Sequence, residues 1–259
     1  MPEKRVFKDH FSGCASGYAE YRPRYPPELA DHLARIAPRR EVAWDCGCGS
    51  GQLSEDLARH FERVVATDAS AQQIARAKPN ARIEYRCAPA EDCGLPDASA
   101  DLIVAAQSAH WFDLPAWYAE VRRVARSAGK PGGQDGAIVA VAGYGNPELE
   151  GAPGDLLAHF YDDVVGEYWP PERRIIESEY RDVPFPFAEL DVPHFEMSVR
   201  WTLEELAGYV GTWSAVQALG RAKGLAAFDE FRAQLADVWG PPSAARTVSW
   251  PLALSAGRV

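Results

Sequence analysis

Between Glu41 and Ala142, short apolar runs alternate with apolar positions at helical spacing, a pattern that predicts βαβ units. Residues 42–45 read as a first strand, followed by glycines and then a helix whose Leu53, Leu57 and Phe61 recur every fourth position. Residues 64–67 form a second strand ending at Asp68. Ser70 and Gln73 make a capping-box pair that opens a helix to about Lys78, stopped by Pro79. Ile83, Tyr85 and Cys87 alternate as a third strand, and residues 102–106, after a turn at Leu95-Pro96-Asp97, form a fourth. Asp113 with Pro115 opens a helix carrying Trp117, Val121 and Val124. A loop over 129–136 precedes a fully apolar fifth strand at 137–142. Crossovers of this kind require a parallel sheet with helices on both faces.

Two flanks depart from this core. Residues 1–40 hold aromatic and Arg side chains and then a helix from Pro27 with Leu29, Leu33 and Ile36 on one side, a helical N-terminal cap. Residues 144–192 are rich in Pro, Tyr and acidic groups and predict a lid insertion beyond the strand ends, where open α/β sheets bind ligands. Residues 195–201 and 248–254 predict two more strands, with helices near 203–219 and 225–238 between them. The expected architecture is α/β: a doubly wound, mostly parallel, seven-stranded sheet. Its parts are a cap (1–40), an α/β core (41–143), the insertion (144–192) and a C-terminal segment (193–259) that completes the sheet.

Composition narrows the partners. With 37 acidic and 27 basic side chains the chain carries a formal charge of -10. Such a field repels a polyanion unless a basic patch overrides it, and Arg22, Arg24, Arg39 and Arg40 are scattered among Pro and acidic residues. Nucleic acid is therefore not an expected partner. No apolar run is long enough to cross a bilayer, and residues 1–11 lack the apolar stretch of a signal peptide. Five cysteines without a paired Cys-x-x-Cys or His-x-x-x-His predict free thiols in a reducing, cytoplasmic compartment and no metal site.

The chemistry concentrates at Trp44-Asp45-Cys46-Gly47-Cys48-Gly49-Ser50-Gly51, between a strand and a helix. Alternate glycines let the backbone turn tightly and let a ligand approach without meeting a Cβ. Pyrophosphate sites use Gly-x-Gly-x-x-Gly, whereas the spacing here is Gly-x-Gly-x-Gly. Asp45, at the carboxyl end of its strand, would repel a diphosphate and attract an ammonium. A cationic ligand is therefore expected where a dinucleotide keeps its phosphates, and a nicotinamide-dependent oxidoreductase is disfavoured. Asp68, at the end of the next strand, is placed to accept hydrogen bonds from ribose hydroxyls, although alone it also reads as a helix cap.

Four stretches carry a resemblance: Tyr18-Ala19-Glu20-Tyr21-Arg22-Pro23-Arg24-Tyr25-Pro26, the glycine loop, Ala90-Glu91 with Gly94-Leu95-Pro96-Asp97, and Gln107-Ser108-Ala109-His110-Trp111-Phe112-Asp113. A weaker echo is Tyr209-Val210-Gly211-Thr212-Trp213-Ser214. Together they resemble the class I, seven-strand, Rossmann-like methyltransferases of the type 11 group, and are similar to small-molecule enzymes allied to trans-aconitate and cantharidin methyltransferases. The resemblance implies S-adenosyl-L-methionine as cofactor and S-adenosyl-L-homocysteine as product. It implies that Gly47, Gly49 and Gly51 cradle the methionine portion, that Asp68 holds the ribose, and that Ala90 and Glu91 frame the adenine. Asp45, Cys48, Ala69 and Gln107 complete that shell, and Tyr18 and Arg22 close over it from the N-terminal segment. Position 89 is Pro where many relatives place a polar residue, which removes a side-chain contact there.

Methyl transfer is an in-line displacement, so the protein aligns the nucleophile and excludes water, adding a base only where the nucleophile carries a proton. Residues 107–112 are the expected acceptor wall. His110 is the candidate general base, and it equally reads as a histidine fixed by packing. Trp111 is read as pocket wall, and Arg22 either binds a carboxylate or pairs with a neighbour such as Glu20. Tyr144, Trp169, Tyr180 and Arg181 are the candidates from the insertion. No Asp/Asn-Pro-Pro-Tyr follows the fourth strand, which again disfavours methylation of bases. The expectation is O-methylation of a small-molecule carboxylate or hydroxyl. The alternatives are N- or C-methylation and a non-catalytic protein that binds S-adenosylmethionine.

Overall fold

The structure is a computed structural model that describes residues 23–127, 136–178 and 180–259. Tyr18 and Arg22 lie outside the described residues, as do Glu20, Tyr21 and all of the 129–136 loop except Gly136.

Five strands are parallel to their neighbours: β1 (Val42–Cys46), β2 (Arg63–Asp68), β3 (Ile83–Cys87), β4 (Leu102–Ala106) and β5 (Ile138–Tyr144). Three more, β6 (Ala188–Glu189), β7 (Phe195–Trp201) and β8 (Arg246–Arg258), pair in antiparallel fashion. The order is β3-β2-β1-β4-β5-β8-β6, with β7 also on β8. Leu252 of β8 is paired with Tyr144 on one side and Phe195 on the other, so β6 and β7 share one edge. They are continued into each other by Leu190 N–H donating to Ala256 O. Counted as one interrupted strand they complete the expected seven, and as separate segments they make eight. β8 exceeds the expected 248–254 because each of its ends has a partner strand of its own.

Strand alternation sorts the core into two layers. Ala43, Leu102, Val104, Ile138, Ala140 and Ala142 face one cluster. Trp44, Ile103, Ala105, Val139 and Val141 face the other. The first layer holds α1 (Pro27–Ile36), α2 (Gln52–Leu57), α5 (Ala152–His159) and the C-terminal helices α7 (Leu203–Gly211), α8 (Ser214–Lys223) and α9 (Ala226–Trp239). The second holds α4 (Leu114–Val124) through Trp117, Val121 and Val124, and Ile176 of α6 (Arg173–Glu177). Because both faces are covered, β5 is buried at every position. No described helix is long and apolar enough to cross a membrane.

Two helices differ from expectation. The helix expected from Ser70 to about Lys78 is only α3 (Ala71–Ile74). Past it, Arg76 and Ala77 donate to carbonyls three residues back, the tighter winding of a chain about to meet Pro79, which disfavours helix at Lys78. Ser70 Oγ does accept from Gln73 N–H. The single helix expected at 203–219 is split into α7 and α8. Trp213 turns to an extended conformation at the break and is buried, with its ring 5.9 Å from Tyr209 and 5.6 Å from Tyr161. Gln217 Nε2 donates to the Gly211 carbonyl that the break leaves open (2.8 Å).

Gly143 of β5 lies flat under the Tyr180 ring, where a Cβ would overlap the aromatic carbons. Gly143→Ala is expected to displace Tyr180 and to cost about 1–3 kcal/mol, the range for overpacking. The check is a lower urea midpoint with an unchanged slope.

Candidate active site

The sheet order reverses between β1 and β4, and the candidate site is built on the carboxyl ends of the strands around that crevice. Ser108, just past β4, donates its hydroxyl to Cys46 O across the crevice at 2.8 Å. That contact brings the two loops together at Gly47, where a Cβ would stand 2.6 Å from Ser108 Cβ. Gly47 (φ 67°), Gly49 (φ 57°) and Gly51 (φ 87°) all take the left-handed conformation that favours glycine. Gly51 packs under the Tyr85 hydroxyl, whereas the space beside Gly49 is open. The glycine loop therefore has two packed glycines and one facing open space.

The loop's own N–H groups are spent inside the protein. Gly47 and Cys48 both donate to Thr67 O at 2.7 and 2.9 Å, Gly51 donates to Cys48 O, and Gly49 donates to Asp68 Oδ2 at 2.8 Å. A pyrophosphate site would turn such donors outward, so the loop does not present the anion cradle of a dinucleotide fold. Asp68 is held from both sides, since Ser70 N–H donates to its other oxygen at 2.8 Å. A carboxylate offers about four acceptor positions, the chemistry that suits ribose hydroxyls. Ala69 is half-buried next to it and accepts the Cys87 thiol at its carbonyl.

Asp45 sits under the loop with 1% exposure and accepts the Ser54 hydroxyl at 2.5 Å. Burial raises its pKa to about 7, helped by the charge of Asp68 and opposed by the Ser54 hydrogen bond. Burial also holds the Cys48 thiol well above its ordinary value, so it stays a neutral thiol. On the adenine side Ala90 is buried. Glu91 accepts Asp113 N–H at 2.7 Å, tying the segment to the start of α4. The Leu95 turn is fixed by Arg123, which donates to Leu95 O and pairs with Asp97 and Glu120, while Glu120 accepts from the Cys93 backbone and thiol.

The expected acceptor wall is aromatic. Gln107 has a left-handed φ of 54°. Its amide bonds the Tyr144 backbone twice, at 2.8 Å to N–H and 3.2 Å to O, so it clamps the ends of β4 and β5. Tyr144 is buried, with its ring 6.1 Å from Tyr25. His110, in a single turn at Ala109–Trp111, is 8% exposed, and its Nδ1 lies 2.6 Å from the Tyr180 hydroxyl. Its ring is 4.7 Å from that of Trp111, which is half-buried. Burial, with the nearby Arg173 charge, lowers the His110 pKa to about 3, and burial holds the Tyr180 hydroxyl well above its usual value. Both groups stay neutral across the physiological range. Arg181 is exposed. The cation beside His110 is instead Arg173, which belongs to no motif and reads in sequence only as part of a charged loop after Pro170-Pro171.

A parallel sheet reversed at β1/β4, a left-handed glycine loop, a buried acid beneath it and a second acid at the end of β2 define a Rossmann-like site for a nucleoside ligand bearing a cation. A family model described as "Methyltransferase domain" matches residues 44–131. A solved structure described as a type II methyltransferase, from Anaeromyxobacter dehalogenans, is 45% identical. The match covers 92% of this chain and 97% of that one, with a TM-score of 0.83. A Dictyostelium discoideum protein named as a methyltransferase is 31% identical over 226 residues, covering 86% of this chain and 83% of its own. A Saccharomyces cerevisiae protein named as an S-adenosylmethionine-dependent methyltransferase is 26% identical, over 70% of this chain and 63% of its own. The chain belongs to the methyltransferase domain family and is a class I, S-adenosylmethionine-dependent methyltransferase.

The residues present fit that cofactor: open space at Gly49, the Asp68 carboxylate fixed at the end of β2, and a buried carboxyl at Asp45 whose charge a ligand ammonium would offset. Asp45 must be ionised to attract that ammonium, and burial raises its pKa to about 7. Affinity for S-adenosylmethionine is therefore expected to fall as pH drops below 7, by about tenfold between pH 7.5 and pH 6. It should also decline above about pH 8, where an α-amino group itself deprotonates. Calorimetry across this range should give a bell, and Asp45→Asn should remove its acid limb alone.

Proposed function

We propose that this methyltransferase transfers the methyl group to oxygen of a small molecule, a carboxylate or a hydroxyl, leaving S-adenosyl-L-homocysteine. The observation that carries the reading is the state of His110. With a pKa of about 3 and its Nδ1 on the Tyr180 hydroxyl, it is a weak base, far from the near-neutral value that suits proton removal. It serves to position groups in the mouth of the site. A carboxylate is already ionised and needs no base, so between the two oxygen acceptors the carboxylate is favoured. S-adenosylmethionine supplies an electrophilic methyl group on a positively charged sulfur. The protein's part is to hold the acceptor in line and keep water out, and the ring of Trp111 with the Tyr144 and Tyr180 side chains suits that part. The net charge of -10 supports a small acceptor over nucleic acid or an anionic membrane surface, and the free Cys46, Cys48, Cys87 and Cys93 suit a reducing, cytoplasmic setting.

Three measurements test this. Calorimetric binding of S-adenosylmethionine and S-adenosylhomocysteine should be saturable, and Asp68→Ala should weaken it by about 1.5–3 kcal/mol, the value of a hydrogen bond to a charged group. Methyl-labelled cofactor should then be incubated with carboxylates, alcohols and amines and the product treated with base. Label released as methanol identifies an ester, and base-stable label on an alcohol identifies an ether. Label on nitrogen or carbon alone would overturn the oxygen reading. With a carboxylate acceptor, kcat should show no limb between pH 5 and 9 from His110 and should survive His110→Ala, measured at saturating acceptor.

A further inference from the structure

Among the described residues Arg173 is a half-buried cation without a counter-ion. It opens α6 in the insertion, and its side chain is held by neutral groups alone. Nε donates to the Tyr161 hydroxyl at 2.8 Å, and Nη2 donates to the Asn146 side-chain oxygen. The guanidinium lies 4.5 Å from the centre of the Trp169 ring and 5.4 Å from that of Tyr161. Among the described residues no carboxylate forms an ion pair with it. The nearest in the network is Glu177, which is exposed and accepts from the Tyr161 hydroxyl at 2.7 Å, one group removed.

Holding a charge this way is costly unless something completes it. Guanidinium has five N–H donors in a planar fork, and the contacts above use two of them. The position is telling as well. Asn146 lies two residues past β5, and α6 packs on the turn that carries His110. The Arg173 charge acts on both His110 and Tyr180. The fork therefore sits at the acceptor mouth, over the carboxyl ends of β4 and β5, walled by aromatic rings that suit an organic acid.

We propose that Arg173 is the anion-recognition group of the acceptor site and takes a carboxylate of the substrate on its free N–H groups. Trp169 and Tyr161 fix the guanidinium plane, Asn146 sets its rotation, and the neutral His110–Tyr180 pair lines the adjoining wall without competing for the anion. This rests on the oxygen-methylation reading above and adds the chemical class of acceptor, an organic acid.

The test uses the full chain saturated with S-adenosylhomocysteine and probes of three shapes: para-fluorobenzoate, fluorosuccinate and a fluorinated hexanoate, each beside its neutral amide. Binding is read by fluorine NMR line broadening. At least one carboxylate should bind and its amide should not. Arg173→Gln should weaken carboxylate binding by about tenfold or more, and Arg173→Lys, which keeps the charge and loses the fork, by less. Because Arg173→Gln also removes packing, Asn146→Asp is the companion variant. It gives Arg173 a counter-ion of its own, so the fold should hold or gain stability while carboxylate binding is lost. A merely structural Arg173 would leave binding intact in Asn146→Asp. Unchanged binding in either Arg173→Gln or Asn146→Asp overturns the proposal. So does failure of every carboxylate to bind wild type that does bind S-adenosylhomocysteine, and that outcome leaves the methyltransferase itself standing. Failure of wild type to bind S-adenosylhomocysteine would strike the cofactor site first and this proposal with it.

Discussion

Between the ends of β1 and β4 two loops come so close that only a glycine fits, and the site follows from that approach. Ser108 hydrogen-bonds the Cys46 carbonyl, Gly47 lies against the Ser108 side chain, and the loop then turns left-handed at three glycines. The turn carries the Gly49 N–H onto Asp68, which fixes the acid at the end of β2. On the other side, the same Ser108 segment leads into the single turn that presents His110 and Trp111. One contact thus sets the separation between the glycine loop with Asp68 and the turn that carries His110. A hydrogen bond of this kind contributes modestly to stability, about 1 kcal/mol, but losing it would leave a buried carbonyl unpaired.

Burial does most of the electrostatic work. Asp45 and His110 are both pushed towards their neutral forms, one upward to about 7 and the other downward to about 3. In such a low-dielectric setting charges act strongly on each other. The insertion adds aromatic packing around these groups. Trp169 and Trp213 pack on Tyr161 at 4.8 and 5.6 Å, and Arg173 is bonded to the same Tyr161.

Much of the sheet could be read from the chain, because a strand covered on both faces must be apolar throughout and a crossover helix must be amphipathic. Residues 42–45, 64–67 and 102–106 fall within β1, β2 and β4. The glycine loop and Asp68 were legible for a related reason: a left-handed turn restricts residue type, and an acid at a strand end has a small range of uses. Ends of helices were harder. The α7/α8 break comes from burying Trp213 among rings contributed by the insertion, which local periodicity does not report. Gln107, expected as a cofactor contact, also clamps Tyr144, a bond that local sequence does not report because the partner lies across the sheet.

By itself, then, the sequence determined the layered parallel sheet, the conformation of the glycine loop and the placing of two acids. Each follows from local sterics or from a period that a strand or helix imposes along the chain. The tertiary structure decided the protonation of Asp45 and His110, the spending of the loop's N–H groups on Thr67 and Asp68, and the arrival of Arg173 beside His110. Those depend on desolvation and on neighbours distant in sequence. Neither quantity is a property of any one segment, so only the assembled fold sets it.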